Sequence, residues 1–203
     1  MARTSVQPRQ SVCCGIALCG GAASRLGGGN KALKLYAGKP LIEHTLGLLV
    51  PQCDQIIISA NQDLDQIRSY GHPIVSDREK GFHGPLHGIH DASQSIQADQ
   101  YLILACDMPE LKPYHLSSLK AALSEDPLLE AALYSTSDGL QPGLMIVSKT
   151  AIGLLQARMR ILDGSLKGWL ACLTTKVIDE PNAKAFKNLN HPIDFLPEDE
   201  GSR

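Results

Sequence analysis

The feature that most constrains the fold is an alternation of short apolar runs with helical patterns. Four such runs, each bounded by polar or turn residues, occupy residues 15–19, 55–59, 101–106 and 144–147. Apolar runs of this length are typical of strands buried on both faces, as in parallel sheets. Between the runs, Pro40 and Pro113 each precede leucines at helical spacing, and proline suits a first helical turn. The alternation predicts a layered α/β fold with a mostly parallel sheet.

Composition narrows the class of protein. The 203 residues are 43% hydrophobic and 20% charged, with a formal net charge of −2. This is ordinary globular composition without a general electrostatic footprint for nucleic acid or anionic lipid. No apolar run approaches the roughly 18 residues that span a bilayer, and residues 1–11 lack a signal-peptide core. We therefore predict a cytoplasmic protein with a flexible extension at 1–12, one domain at 13–197 and a flexible tail at 198–203.

The cysteines do not suggest a metal centre. The chain contains six of them but no C-x-x-C pair, and several lie inside the apolar runs. Their spacings fit none of the usual zinc-ligand patterns, which leaves a zinc site as the weaker alternative. The pattern favours reduced thiols in the core.

A glycine-rich segment follows the first apolar run. Residues 18–31, LCGGAASRLGGGNK, contain five glycines together with Arg25 and Lys31. Glycine lets successive backbone N–H groups converge on phosphate oxygens. A Walker A loop would need Ser or Thr after Lys31, where Ala32 stands, and the G-x-G-x-x-G dinucleotide pattern is also missing. The segment predicts a phosphate loop of another type, with an unliganded surface loop as the alternative.

Acidic residues follow two other predicted strands. Asp107 comes directly after the run at 101–106, and Asp77 follows Val75. In an open α/β sheet, ligands bind beyond the carboxyl ends of the strands. A carboxylate there can hold Mg²⁺ on substrate phosphates, so we predict Asp107 as a metal ligand and catalytic residue.

These motifs carry a family resemblance. Residues 18–33 followed by Gly38-Lys39-Pro40-Leu41 resemble a nucleotidyltransferase signature, in particular that of the molybdenum cofactor guanylyltransferase (MobA) family. Many nucleotidyltransferases share this first block, but five further blocks follow in the family's order between residues 14 and 196. They are Ser76-Asp77, Gly84-Pro85-Leu86-His87-Gly88-Ile89, Ala105-Cys106-Asp107-Met108-Pro109, Gln141-Pro142 and Asn188-Leu189-Asn190-His191-Pro192.

The resemblance implies a single-domain α/β three-layer sandwich with a mostly parallel, Rossmann-like nucleotidyltransferase sheet. It also implies transfer of GMP from GTP to the terminal phosphate of molybdenum-molybdopterin, with release of pyrophosphate and with Mg²⁺ as cofactor. Other proteins of cofactor biosynthesis or molybdoenzyme maturation are implied as partners. Nucleotidyl transfer gives the protein little covalent work, so catalysis should come from positioning and charge neutralisation.

The family's roles can be carried over to matching positions. Arg25, Lys31 and Asp107 are implied as catalytic residues. Asn188 and Asn190 are implied near the acceptor, although a plain turn before His191-Pro192 is the alternative. The implied nucleotide-binding residues are Leu18, Cys19, Gly20, Gly21, Lys31, Ser59, Asn61, Asp77 and Asp107. A single asparagine of the family corresponds to either Ser59 or Asn61, and the sequence leaves that choice open.

Two positions depart from the family pattern. Asn30 stands where the family usually has an acidic residue before the lysine, which predicts a slower or even inactive protein. The acceptor-side segment at 163–166 matches only loosely, so the pterin-binding residues are not transferable.

Several alternatives remain open at this stage. Activity could instead use CTP or a sugar phosphate, although relatives that use CTP tend to carry L-A-A-G where this chain has Leu18-Cys19-Gly20-Gly21. A non-catalytic nucleotide- or cofactor-binding adaptor is the second alternative, supported by Asn30. His83, His87 and His90 suggest a metal site only weakly, because a third ligand on the same helix face is undefined. Trp169 is expected to pack against the sheet rather than stack on a pterin.

Overall fold

The computed structural model describes residues 11–21, 28–77, 84–159 and 165–195. Within these ranges the strands are β1 (Cys13–Leu18), β2 (Leu35–Tyr36), β3 (Lys39–Pro40), β4 (Gln55–Ser59), β5 (Ile74–Val75), β6 (Gln100–Ala105), β7 (Ala131–Thr136), β8 (Gly139–Ser148) and β9 (Thr175–Asp179). The α-helices are α1 (Leu41–Leu49), α2 (Leu64–Arg68), α3 (Pro85–Gln94), α4 (Pro113–Glu125), α5 (Lys149–Met159) and α6 (Leu166–Leu170). Short 3₁₀ helices occupy Lys31–Leu33, Ala183–Phe186 and Pro192–Phe195.

The main sheet has seven strands in the order β5-β4-β1-β6-β8-β7-β9. The pairs β5/β4, β4/β1, β1/β6 and β7/β9 are parallel, whereas β8 runs antiparallel to both of its neighbours. The chain moves outward from β1 to β4 and β5, then returns to place β6 on the other side of β1. The carboxyl ends of β1 and β6 therefore flank the topological switch point, where open α/β sheets bind ligands.

Side-chain alternation along the strands builds two cores. In β1, Cys13 and Ala17 face a core shared with α1 and α4, whereas Cys14 and Ile16 face a core shared with α3, α5 and α6. Successive strand residues point to opposite faces, so one sheet supports both helical layers. This arrangement is the three-layer α/β sandwich that the sequence predicts.

The sequence locates the main elements closely. The helices expected after Pro40 and Pro113 are α1 and α4, and the predicted run at 55–59 is β4. The strands β1 and β6 end one residue before the first and third predicted runs do, so Cys19 and Cys106 come directly after their strands. The run at 144–147 lies inside the longer β8, which is antiparallel because the β7–β8 hairpin reverses the chain.

The cysteines are free, as expected for reduced thiols, but not all belong to the core. Cys13, Cys14, Cys19 and Cys106 are buried and Cys53 is partly buried, whereas Cys172 is exposed. The prediction of core thiols is thus wrong for Cys172, because this residue lies after the end of α6 rather than in a strand.

The ends of the domain stay predictions. Residues 1–10 and 196–203 lie outside the described part of the chain. Val12, within the predicted extension, is hydrogen-bonded through its N–H group to Asp99 Oδ2 at 2.9 Å. None of the helices in the described ranges has the length and apolar character that a bilayer span requires.

Candidate active site

A cavity of about 450 Å³ opens at the carboxyl ends of β1, β4 and β6, next to the amino end of α3. Its position is the switch point of the sheet, where backbone and side-chain groups from several segments converge. The residues that line it are Leu18, Gly20, Gly21, Lys31, Ser59, Asn61, Asp77, Gly84, Pro85, Gly88, Ala105, Cys106, Asp107, Leu166, Asn188 and Asn190.

A buried lysine connects three segments of the chain in this cavity. Lys31 Nζ lies 2.6 Å from Asp107 Oδ2 and 2.7 Å from Asn190 Oδ1. The lysine side chain is 10% exposed and that of Asp107 18% exposed. A charged pair that is largely removed from water is held tightly only when further hydrogen bonds satisfy it, and Asn190 supplies one. The ammonium group is therefore fixed at the cavity wall.

Asn30 fixes the backbone that carries this lysine. Its side chain accepts a hydrogen bond from the Ala32 N–H at 3.0 Å, which caps the 3₁₀ helix Lys31–Leu33. Its amide also donates to the Gln62 carbonyl oxygen at 3.0 Å, and the residue is 5% exposed. Asparagine can make both bonds because its side chain carries an acceptor and a donor. Asn30 lacks the charge of the family's acidic residue, but both ends of its amide position the backbone that carries Lys31.

Asp107 presents a second, unengaged oxygen. Its Oδ1 is buried and has no hydrogen-bond partner among the described residues, whereas Oδ2 binds Lys31. The backbone carbonyl of Asp107 accepts the Leu189 N–H at 2.9 Å, which holds the segment between Asn188 and Asn190 beside it. A buried carboxylate oxygen without a partner is costly unless a ligand or cation completes it. The donor type suits a hard cation such as Mg²⁺.

On the opposite wall, Asn61 and Asp77 form a reciprocal pair. Asn61 Nδ2 donates to Asp77 Oδ2 at 2.8 Å, and the Asp77 N–H donates to Asn61 Oδ1 at 2.8 Å. Gly20 and Gly88 pack closely against this wall: a Cβ on Gly20 would lie 3.2 Å from Asn61 Nδ2, and one on Gly88 only 2.5 Å from Ser59 Oγ. Glycine is needed at Gly88 to keep the amino end of α3 this close to β4.

The late asparagine segment is anchored by a residue that the sequence analysis did not single out. Asp194 Oδ2 accepts the N–H groups of Asn190 and His191 at 2.9 and 2.8 Å, and Asp194 Oδ1 lies 3.1 Å from Lys187 Nζ. Burial raises the pKa of Asp194, but the hydrogen bonds from His191, Lys187 and Asn190 outweigh it and leave the pKa below its ordinary value. The only sequence signal was a carboxylate a few residues after an asparagine.

Two cysteines lie at the floor of the cavity. Cys106 contributes to the lining, but Cys19 is 1% exposed and does not. A hydrogen bond with Cys106 and burial together raise the pKa of the Cys19 thiol. The Cys19 N–H is bound to the Ser59 carbonyl oxygen at 2.7 Å, and the Leu18 carbonyl accepts the Cys106 N–H at 3.2 Å. The Cys19 N–H is thus engaged in the sheet, whereas the Leu18 carbonyl keeps a second lone pair, and the nucleotide contacts at Leu18 and Cys19 stay predictions.

Most of the predicted site residues meet in this cavity. Ten line it: Leu18, Gly20, Gly21, Lys31, Ser59, Asn61, Asp77, Asp107, Asn188 and Asn190. Cys19 lies behind the wall, and Arg25 falls outside the described residues. Both Ser59 and Asn61 line the cavity, and which of them corresponds to the family's asparagine stays a prediction. Sequence analysis missed the lining role of Gly84, Pro85, Gly88, Ala105, Cys106 and Leu166, although all but Leu166 belong to the blocks quoted above.

Two side features of the sequence fall elsewhere. Trp169 is fully buried in the core with α3 and α5, as its packing prediction required. His87 and His90 both lie on α3, and His90 Nδ1 is 3.1 Å from Asp91 Oδ1, while His83 is outside the described residues. The described residues contain no cluster of three or more His, Cys, Asp or Glu side chains suited to a metal ion.

Comparisons with known proteins agree with this geometry. Residues 15–177 match the family described as the MobA-like NTP transferase domain. Molybdenum cofactor guanylyltransferases from Shewanella loihica and Shewanella woodyi are each 32% identical to the chain, over 87% of it and 90% of their own length. The coverage of both partners is nearly complete, so the likeness extends over the whole domain.

Solved structures share the fold at lower identity. Molybdopterin-guanine dinucleotide biosynthesis protein A from Archaeoglobus fulgidus has a TM-score of 0.72 at 24% identity, covering 90% of this chain and 94% of that one. A nucleotidyl transferase from Methanothermobacter thermautotroptrophicus has a TM-score of 0.71 at 16% identity, covering 91% and 94%. The sheet order, the switch-point cavity and the family match lead to one conclusion: this chain belongs to the MobA-like NTP transferase family.

Proposed function

We propose that the protein transfers GMP from GTP to the terminal phosphate of molybdenum-molybdopterin, forming the guanine dinucleotide cofactor and releasing pyrophosphate. The observation that carries this proposal is the buried Lys31 ammonium, bound to Asp107 and Asn190 in the switch-point cavity. The ammonium group suits phosphate, and it is bound both to a carboxylate and to the asparagine segment that the resemblance implies near the acceptor. The relatives named as guanylyltransferases supply the identity of the base and of the acceptor.

The glycine-rich side of the cavity receives the triphosphate. Gly20 and Gly21 follow β1 and leave their backbone open to the cavity, and a Cβ on Gly21 would meet nothing within 4 Å. Lys31 neutralises charge on the transferred phosphoryl group and on the pyrophosphate, and Arg25 adds a second cation by family analogy. Because the acceptor phosphate and the nucleotide are both anionic, holding them together accounts for most of the catalytic effect.

Asp107 would hold Mg²⁺ through its unengaged Oδ1, with the remaining ligands supplied by substrate oxygens and water. The bound cation supplies charge neutralisation and Lewis-acid activation at the phosphoryl group. The chain's own contribution is to fix that carboxylate: Lys31 binds Oδ2, and the Leu189 N–H binds the Asp107 backbone carbonyl. The carboxylate is therefore oriented before the substrate binds.

The Asn61–Asp77 wall recognises the nucleoside. Asn61 holds Asp77 Oδ2, which leaves Asp77 Oδ1 as an acceptor, and a Cβ on Gly88 would lie 3.7 Å from that oxygen. Guanine offers N–H donors on its Watson–Crick edge, and ribose offers hydroxyl donors, so a carboxylate acceptor suits either. The Ser59 hydroxyl lies on the same wall.

The acceptor enters on the side of Asn188 and Asn190, across Lys31 from the nucleotide. The reaction takes place in the cytoplasm, and the product passes to proteins of cofactor biosynthesis or molybdoenzyme maturation.

Thermal unfolding with GTP, CTP, ATP and UTP, each with and without Mg²⁺, tests the nucleotide half of this proposal. A ligand at about 100 times its Kd stabilises by about 2.7 kcal/mol, which raises Tm by roughly 5 to 10 °C for a domain of this size. We expect the rise with GTP, larger with Mg²⁺, and reduced in Lys31→Ala but kept in Lys34→Ala. A preference for CTP would move the activity to cytidylyl transfer, and no rise with any nucleotide would exclude a nucleotidyltransferase.

A further inference from the structure

A second groove of about 470 Å³ lies at the opposite end of the sheet, where β1, β4 and β6 begin. It shares no lining residue with the nucleotide cavity. The groove is lined by Ser11, Pro51, Gln52, Cys53, Asp54, Gln100, Lys120, Ala121 and Ser124. Its lining thus combines a thiol, a carboxylate and an ammonium group, and none of them has a part in the proposed transfer reaction.

The Cys53 thiol in this groove touches a second thiol behind it. Cys13 Sγ lies 3.8 Å from Cys53 Sγ. The backbone fixes this approach: the Cys13 N–H donates to Asp54 Oδ2 at 2.8 Å, and the Asp54 N–H donates to the Cys13 carbonyl at 2.9 Å. Cys13 is the first residue of β1, whereas Cys53 lies in the connection between α1 and β4, outside the strand ladder. Any further approach of the two sulfurs therefore has to come from the side chains and from this connection rather than from the strand.

The surroundings of the pair favour the thiolate of one member, Cys13, and the protonated thiol of the other, Cys53. The hydrogen bond with Cys53 lowers the pKa of Cys13, and Lys120 adds to this while burial and Asp54 oppose it. The same hydrogen bond, together with burial, raises the pKa of the Cys53 thiol. Lys120 Nζ is held beside the pair by a hydrogen bond to the Gln52 carbonyl. A thiol beside a cation and a second thiol forms a thiolate more readily than an isolated buried one.

We propose that Cys13 and Cys53 form a reversible disulfide by thiol–disulfide exchange with a small disulfide such as oxidised glutathione, admitted through the groove. A thiolate of the pair attacks one sulfur of the glutathione disulfide, which forms a mixed disulfide and expels one glutathione thiolate. The other cysteine then loses its proton and attacks the mixed disulfide, which releases the second glutathione. Two cysteine thiols are oxidised, and one glutathione disulfide is reduced to two glutathione molecules that carry the two protons.

The geometry favours this pair over the neighbouring cysteines. A disulfide requires about 2.05 Å between sulfurs, so the present contact needs a rotation of the side chains and an adjustment of the connection. Cys14 is fully buried and points to the other face of the sheet, among the core residues packed on α3 and α5. Cys19 and Cys106 contact each other at the far end of β1, where a disulfide would distort the nucleotide cavity.

The experiment uses the full-length protein in glutathione redox buffers. Intact mass and thiol titration in denaturant should show a loss of two of the six thiols, and mapping should place the bond between Cys13 and Cys53. Cys13→Ser and Cys53→Ser should each lose this oxidation, while Cys172→Ser, an exposed control, should oxidise like the parent. Because Cys13 and Cys14 are adjacent and fall on the same peptide, Cys13→Ser also shows which of the two forms the disulfide. Oxidation should raise Tm by roughly 5 to 10 °C, since the bond closes a long loop of the unfolded chain.

Each outcome decides the inference. An oxidised form that keeps the Tm rise caused by nucleotide supports a bond remote from the cavity. A disulfide mapped to Cys19 and Cys106, full retention of thiols in oxidising buffer, or a bond that lowers Tm would overturn it. Failure to bind any nucleotide would refute the proposed function and leave the thiol result unaffected, because the two sites share no residue.

Discussion

The two halves of the sheet have different tasks. The parallel half, β5-β4-β1-β6, ends in polar groups that form the cavity, including Asp77, Ser59 and Asp107. The other half, β8-β7-β9, contributes fully buried side chains such as Met145 and Leu133 to the core. Parallel neighbours end at the same edge of the sheet, whereas antiparallel neighbours end at opposite edges. β8 runs against its neighbours, and this reversed strand divides the half that carries the cavity from the half that contributes mainly to the core.

Truncation in the β8-β7-β9 half should cost the most free energy without affecting the chemistry. Leu133 is 1% exposed, and Leu133→Ala should destabilise the fold by about 2 to 5 kcal/mol through lost burial and a cavity. Urea unfolding measures this loss, and GTP affinity measured below the transition should not change. Leu128→Ala, at a position 78% exposed, is the control and should stay within about 0.5 kcal/mol. A large change in GTP affinity would show that the halves are coupled.

The converse change removes one charge from the parallel half. Asp107→Asn should lower the transfer rate by about 10²-fold or more, the scale for losing one preorganised electrostatic group. Tm should fall as well, because the substitution leaves the largely buried Lys31 ammonium without its counter-charge, so turnover is compared well below the unfolding transition. Asp138→Asn, an exposed position in the turn between β7 and β8, is the control. Steady-state turnover of the two variants checks the prediction, and a nearly normal rate for Asp107→Asn would remove this residue from the mechanism.

A single methyl group should discriminate between the halves. Gly88→Ala places Cβ 2.5 Å from Ser59 Oγ, which should cost about 1 to 3 kcal/mol and weaken nucleotide binding about tenfold. Gly153→Ala in α5 meets nothing within 4 Å and should stabilise by up to about 1 kcal/mol. Adding Ser59→Ala to Gly88→Ala should restore much of the stability. Thermal unfolding of the three variants measures these changes in stability. If Ser59→Ala does not restore the stability lost in Gly88→Ala, the Ser59 hydroxyl is not the atom that obstructs the added methyl group.

Asn30 tests whether positioning or charge matters beside Lys31. Asn30→Ala loses the cap of the 3₁₀ helix and the bond to Gln62, and should lower kcat/KM about fivefold, in line with roughly 1 kcal/mol for a lost cap. Asn30→Asp keeps the acceptor for the Ala32 N–H and should lose less. Steady-state kinetics give kcat and KM separately. A gain of turnover in Asn30→Asp would show instead that the missing acid limits the enzyme.

The smallest effect should depend on pH. The folded state lowers the pKa of Asp194, so its contribution to stability is present above the unfolded pKa of about 4. The contribution disappears as the pH falls through the lower folded-state pKa, where both states are protonated. Asp194→Asn should therefore lower Tm by a few degrees at pH 7 but not at strongly acidic pH. A difference in Tm that stays constant with pH would assign the effect to shape rather than charge.

How much the sequence could predict depended on the distance along the chain. The helices after Pro40 and Pro113, the strand at 55–59 and the ligand edge follow from local patterns of apolar residues and proline. The 2.6 Å contact between Lys31 and Asp107 joins residues far apart in the chain, and composition alone could not locate it. The family resemblance gave most of the described residues that the structure brings together in the cavity, but not their contacts.

Some features could not be read because they depend on what lies across the sheet. The anchoring of Asn190 by Asp194, the cap made by Asn30 and the contact of Cys13 with Cys53 each depend on how separate segments pack. The family pattern even suggested a defect at Asn30, where the structure has two hydrogen bonds. A residue that lacks the family's charge can still hold the surrounding backbone in place through hydrogen bonds.

The sequence by itself determined the alternation of strands and helices, the glycine-rich loop and the types of residue that end the strands, because these follow from local sterics and the burial of apolar side chains. Only the tertiary structure decided which of those residues meet. Strand order places β6 beside β1, and this brings Asp107 to Lys31 and separates one thiol pair from the other by the length of a strand. Such contacts form when the chain pays loop-closure entropy for long-range packing, a cost that no local pattern records.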